Sequence, residues 1–189
     1  MNLRSARCIA LAGTLVFGLA PFADAVEYKE VNAKASTLSF TYEQMGSRIY
    51  GTFGKFKANL DFDTDNPGAA HAALTIDLKS IDAGSSDANT ELQKPAWFDT
   101  ATYPVATFES TSIKALGNNR YTITGKLSLR GLTREVSVPV LLKSESSIGI
   151  FDGQLVLKRD DFKMGEGEWA DSMVSNEINI RFRMVAPQR

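Results

Sequence analysis

One cysteine and one histidine are all that this 189-residue chain offers to thiol and imidazole chemistry. Cys8 lies in the first 25 residues, so no disulfide forms within the chain. Beyond residue 25 there is neither a nucleophilic cysteine nor a thiolate metal site. A zinc or iron centre built from several imidazoles is excluded, because His71 stands alone. His71 follows the turn-forming run Asn66-Pro67-Gly68, which predicts an exposed loop position for it. A Ser-His-Asp machine needs its histidine buried beside a serine instead. Excess positive charge is missing as well. Setting aside Arg4, Arg7 and Asp24, the 21 basic and 22 acidic side chains leave a net charge of −2 on the remainder. No basic stripe follows a phosphate backbone, so nucleic acid is not an expected partner. No glycine-rich phosphate cradle follows a strand and opens a helix.

Long apolar runs are also scarce. The one from Ile9 to Ala20 falls short of the ~20 residues that span a bilayer. Arg4 and Arg7 precede it and the small-x-small run Ala23-Asp24-Ala25 follows it, the layout of a cleaved secretory signal. Cys8 precedes the apolar run, which speaks against a lipoprotein. The expectation is a signal peptide over 1–25 and a single exported domain over 26–189, long enough to bury a core without disulfides.

Acidic residues are the remaining candidates for chemistry. Asp61, Asp63 and Asp65 hint at a calcium loop, but an EF-hand needs glycine and glutamate where this chain has Asn66 and Ala72. They read as a strand end followed by a polar turn. Asp160, Asp161, Glu166, Glu168 and Asp171 are numerous enough for a general acid and base. Their spacing does not aim two of them at one substrate, and a solvated loop accounts for them.

What the chain has in quantity is period-two alternation, the mark of half-buried strands. Leu38, Phe40 and Tyr42 alternate with Ser39, Thr41 and Glu43, and Phe56, Ala58, Leu60 and Phe62 with Lys57, Asn59, Asp61 and Asp63. Gly51 and Gly54 predict a bulge or bend between these runs. Later rows are Leu74-Ile76-Leu78, Ala106-Phe108, Tyr121-Ile123, Leu127-Leu129, Val136 to Leu142, Leu155-Leu157 and Ile178 to Met184. Turns are expected at Met45-Gly46-Ser47, Gly117-Asn118-Asn119 and Arg130-Gly131. Eight or nine strands at hairpin spacing predict an all-β, antiparallel sheet closed on itself. The exceptions are a short helix after Asp87, ended by Pro95 and followed by an exposed Trp97-Phe98 pair, and the irregular loop around Gly165, Gly167 and Trp169. A barrel of about eight strands is either filled by side chains or holds one slender ligand, and alternation alone leaves both open.

Five fragments in order resemble the YceI-like family of periplasmic, polyisoprenoid-binding, lipocalin-like proteins. They are Gly51 to Asp63, Ser80-Ile81-Asp82-Ala83-Gly84, Tyr103 to Thr111, Gly125 to Thr133, and Arg159 to Gly165. Where many members carry Arg-Asp-x-His-Leu, this chain has Ala88-Asn89-Thr90-Glu91-Leu92, so no role of that histidine transfers. This form is similar to the branch found beside b561-type cytochromes. The resemblance implies an extended antiparallel eight-stranded barrel with one or two short helices, a periplasmic location, a homodimer, and an isoprenoid lipid or quinone as ligand. It implies no catalysis, and a membrane b561-type cytochrome as a partner. The expected ligand-binding residues are Phe40, Tyr42, Phe56, Leu60, Phe62, Leu74, Ile76, Leu78, Phe108, Leu127, Leu129, Val138, Ile178, Ile180 and Phe182, with Trp97, Phe98 and Trp169 at the mouth. Two other readings stay open at this stage: a solid barrel that docks a membrane cytochrome, and an enzyme acting on a lipid or sugar through the carboxylates.

Overall fold

The computed structural model describes residues 25–165 and 173–189. The predicted signal segment 1–24 and the loop position Trp169, with Glu166, Glu168 and Asp171, lie outside the described residues. Eleven strands form one antiparallel sheet: β1 (Glu27–Glu30), β2 (Thr37–Gln44), β3 (Ser47–Phe53), β4 (Phe56–Asp63), β5 (His71–Asp77), β6 (Ile81–Asp82), β7 (Val105–Gly117), β8 (Arg120–Leu129), β9 (Leu132–Glu145), β10 (Ile148–Lys158) and β11 (Glu177–Pro187). Their order is β1-β4-β5-β7-β8-β9-β10-β11-β2-β3-β6.

This corrects the expected eight strands and the closed ladder. The ladder order runs from β1 to β6, and only an isolated bridge, Tyr28 to Gln188, links β1 to the chain beyond β11, so the sheet is a curled half-barrel, barrel-like in shape. The excess comes from a break and two short edge strands. Between β3 and β4, Gly54 N–H donates to Ser80 O at 3.0 Å and Lys55 N–H to Ser80 Oγ at 2.9 Å, which turns the chain out of its ladder. β1 bridges β4 to the end of β11, where Asn32 N–H donates to Val185 O at 2.8 Å. β6 pairs with β3 over two residues only.

The hairpins follow from turn chemistry. Met45-Gly46, Asn118-Asn119 and Arg130-Gly131 all have positive φ at both central positions, the primed turn that matches strand twist. In β7 a bulge between Ser110 and Ser112 resets the alternation, so Ile113 faces inward like Phe108 despite its odd separation. The helix α1 (Ser86–Leu92) is capped by Ser85, whose Oγ accepts from Ala88 N–H at 3.2 Å; Asp87, the expected start, falls in its first turn.

The buried apolar side chains fall into two clusters. One contains Tyr28, Phe62, Tyr121, Phe151, Leu142 and Met184, with Phe62 edge-on to Tyr121 (centroids 5.0 Å apart) and to Phe151 (5.3 Å). The other contains Leu78, Ile81, Trp97, Phe98, Leu129, Phe162 and Met164. Truncating a fully buried phenylalanine costs about 3–5 kcal/mol through lost transfer and a residual cavity. Phe62→Ala is therefore expected to destabilise the fold by that amount in denaturant titration, because its ring belongs to the first core.

Candidate ligand cavity

Inward side chains of both cores, such as Leu60 and Val138 of the first and Leu78 and Leu129 of the second, do not fill the space inside the shell. They line a cavity of about 590 Å³ that is partly open to solvent. Its wall is made by alternate residues of β2, β4, β5, β7, β8, β9, β10 and β11. Of the residues expected at the ligand, Phe40, Tyr42, Leu60, Leu74, Ile76, Leu78, Trp97, Phe98, Phe108, Leu127, Leu129, Val138, Ile178, Ile180 and Phe182 all line it.

Two expected residues do not line it. Phe62 is consumed by the aromatic core, and Phe56 packs against that same core. Trp97 and Phe98 correct another expectation: they are buried, 6 % and 8 % exposed, rather than an exposed pair. Hydrogen bonds from Trp97 N–H to Lys94 O (2.9 Å) and from Phe98 N–H to Leu92 O (3.0 Å) turn them under α1, where they close one end of the cavity.

The absence of side chains at three points keeps the bore open. A Cβ on Gly51 would strike the ring of Phe40, one on Gly125 the ring of Phe108, and one on Gly153 the ring of Phe182. Gly51 and Gly153 sit directly across from Phe40 and Phe182 in the ladder. Each phenyl thus lies flat along the wall over a neighbouring backbone, which spares the volume it would take by standing upright in the lumen.

Polar groups on the lining are few: Gln44, Asn59, Ser85, Asp87, Glu91 and Arg159. Ser85, Asp87 and Glu91 come from α1 and its cap, and Gln44 from the end of β2, which gives the lining its polar part. Glu91 pairs with Lys94 at 2.5 Å. The Tyr42 hydroxyl donates to Ala83 O at 3.3 Å, and burial pushes its pKa up, so it stays neutral.

Arg159 is 2 % exposed and is held by three carbonyls. Nε–H donates to Ser175 O (2.8 Å), and the two terminal nitrogens donate to Met164 O (2.7 Å) and Val174 O (2.8 Å). Its guanidinium carbon lies 5.5 Å from the centre of the Trp97 ring. This residue stitches the 3₁₀ turn Arg159–Phe162 to the start of β11 and so supports the end of the cavity. The sequence marked it only as the first residue of the fragment Arg159 to Gly165; the missed signal was an arginine two positions past Leu157, on the same parity as the apolar row Leu155-Leu157. Val136, Leu155 and Leu157 also line the cavity and were visible as alternating rows.

The remaining candidates do not converge. His71 opens β5 rather than lying in a loop, although it is exposed as expected, and its Nε2 lies 2.5 Å from Glu109 Oε1 on the outer face. Asp63 Oδ1 accepts from Asp65 N–H at 2.8 Å, which makes that acidic run a local turn. Among the described residues no group of three or more His, Cys, Asp or Glu gathers at metal-binding distance.

Comparison with known proteins turns on the extent of one match: residues 30–186, nearly all of the described sheet, fit the YceI-like domain. The chain belongs to the YceI-like family. A UPF0312 protein of Ectopseudomonas mendocina is 30% identical over 165 residues, covering 82% of this chain and 83% of that one. Among solved structures, Burkholderia cenocepacia BcnA is 39% identical with a TM-score of 0.80, covering 83% of this chain and 99% of BcnA. A polyisoprenoid binding domain from Saccharophagus degradans, implicated in plant cell wall breakdown, has the same fold at 19% identity and a TM-score of 0.66, covering 87% and 99%. In this YceI-like chain the half-barrel therefore carries the family fold, and the cavity lies inside the matched region.

Proposed function

We propose that this protein binds and carries a long isoprenoid lipid, a quinone or a polyprenyl compound, in the cavity of its half-barrel. The observation that carries the reading is a void of about 590 Å³ whose wall is almost wholly aliphatic and aromatic. Each buried methylene contributes roughly 0.8 kcal/mol, so one five-carbon unit contributes ~3 kcal/mol gross. Several units offset the cost of association and of ordering the chain. Tail burial then dominates affinity, and the polar part of the lining orients the head. The solved polyisoprenoid binding domain from Saccharophagus degradans supports the ligand class by shared fold. Binding rather than catalysis is the role in this reading, which the absence of Asp160 and Asp161 from the cavity lining supports.

In this reading residues 1–25 are removed on export and the carrier works in the periplasm. Two copies form the working unit, and a b561-type cytochrome in the membrane exchanges quinone with it. Native purification, organic extraction and mass spectrometry test the central claim. Stoichiometric isoprenoid lipid is the expected result. Empty protein that also takes up no added quinone would overturn it.

A further inference from the structure

The wall of the cavity has a gap between β9 and β10. Pairing between these strands stops at Val140–Gly153, although β9 runs on to Leu132 and β10 to Lys158. The reason is chemical. Leu142 N–H donates to Asn119 O on the β8 side, so alternation aims the nitrogen of residue 139 at β10. Residue 139 is proline and has no N–H to give, so the ladder fails at the first position past Val140. The gap is bounded at its far end, where Arg130 from the β8–β9 turn donates to Pro95 O at 2.6 Å and to Lys163 O.

An outer groove, lined also by Arg48, Glu135, Asp161 and Arg181, runs over this unpaired stretch. Val136 and Leu155, one on each side of the gap, line both spaces, as do Phe40 and Ile180, which are paired in the β2–β11 ladder. The groove continues over Val156 and Tyr50, two of the most exposed large apolar side chains of the described residues. The cavity thus has polar residues of α1 on its lining and, in its side wall, a stretch where β9 and β10 make no ladder pairs.

We propose that the β9–β10 window is the exit for the distal part of an isoprenoid tail too long for the cavity, so that tail length is not limited by cavity volume. The proposal rests on the isoprenoid-carrier reading and adds a specificity to it: the protein accepts any chain longer than its cavity.

The test uses a series of isoprenoid quinones that differ only in tail length, with affinity measured for each. Ser137→Cys on β9 and Val156→Cys on β10, both outside the cavity lining and both on the outer groove, are bridged by a short bismaleimide. Bridging is expected to weaken the long-tailed members by roughly tenfold or more while the shortest bind as before. Retained short-chain binding also shows that the bridged protein is folded. Pro139→Val, which restores the missing donor, is expected to shift the series in the same direction. Equal affinity of long tails for bridged and unbridged protein overturns the proposal, as does a length cut-off in the unmodified protein. If no quinone of any length binds, the carrier reading fails, and the window's role with it.

Discussion

Replacing Gly153 with alanine is expected to close much of the cavity without unfolding the shell. The new Cβ would occupy the place of the Phe182 ring, and the three nearest atoms to it all belong to that ring rather than to backbone. The ring therefore has to move, and the open direction is the lumen. Gly51 and Gly125 differ here: a Cβ at either also meets a carbonyl oxygen, of Asp82 at 2.6 Å and of Glu109 at 2.5 Å. Substitution there strains the backbone as well. For Gly153→Ala, overpacking costs about 1–3 kcal/mol of stability. Loss of lumen is expected to weaken lipid binding by roughly 10- to 100-fold, the equivalent of somewhat less than one buried five-carbon unit left outside. The double variant Gly153→Ala, Phe182→Ala is the control. Removing the ring removes the clash, so binding is expected to recover relative to Gly153→Ala. A double-mutant cycle with no coupling between the two sites would refute the flat-ring account.

Arg159→Met is expected to produce the largest stability loss of any single change away from the two cores. The guanidinium serves three carbonyls that lie in buried or half-buried backbone. Each buried acceptor left without a donor costs about 1–3 kcal/mol. Three of them total roughly 3–5 kcal/mol after partial relaxation, or about 10 °C in Tm for a domain of this size. Arg159→Lys is expected to rescue little, because one ammonium does not present donors in the fork that these three acceptors require. Calorimetry of both variants checks the claim. A drop in Tm of a degree or two for Arg159→Met would show that the arginine is dispensable to that end of the shell.

Much of the cavity wall could be read from alternation. Phe40, Leu74, Ile76, Phe108, Leu127, Ile178, Ile180 and Phe182 all stand on the inward face that period two assigns to them. Period two fails to say where along the axis an inward side chain lies. Phe62 belongs to the same row as Leu60, yet Leu60 lines the cavity while Phe62 is locked among Tyr28, Tyr121 and Phe151. The difference comes from what crosses the shell opposite each, and β1 and β8 supply the partners of Phe62 from 34 residues before it and 59 after it. Trp97 and Phe98 looked exposed because they follow a proline-broken helix, but the backbone bonds to Leu92 and Lys94 fold them inward.

Local chemistry was sufficient for the strands, their hairpins, the one helix and the apolar character of the inner face. These depend on side-chain alternation and on turn residues a few positions apart, which the chain carries in its own order. The number of strands, the unclosed ladder, the empty centre and the unpaired stretch beside Pro139 came from contacts between distant segments. A void exists only where several strands fail to fill the same space, and a wall parts only where two neighbours cannot exchange hydrogen bonds. Neither condition belongs to any one stretch of residues.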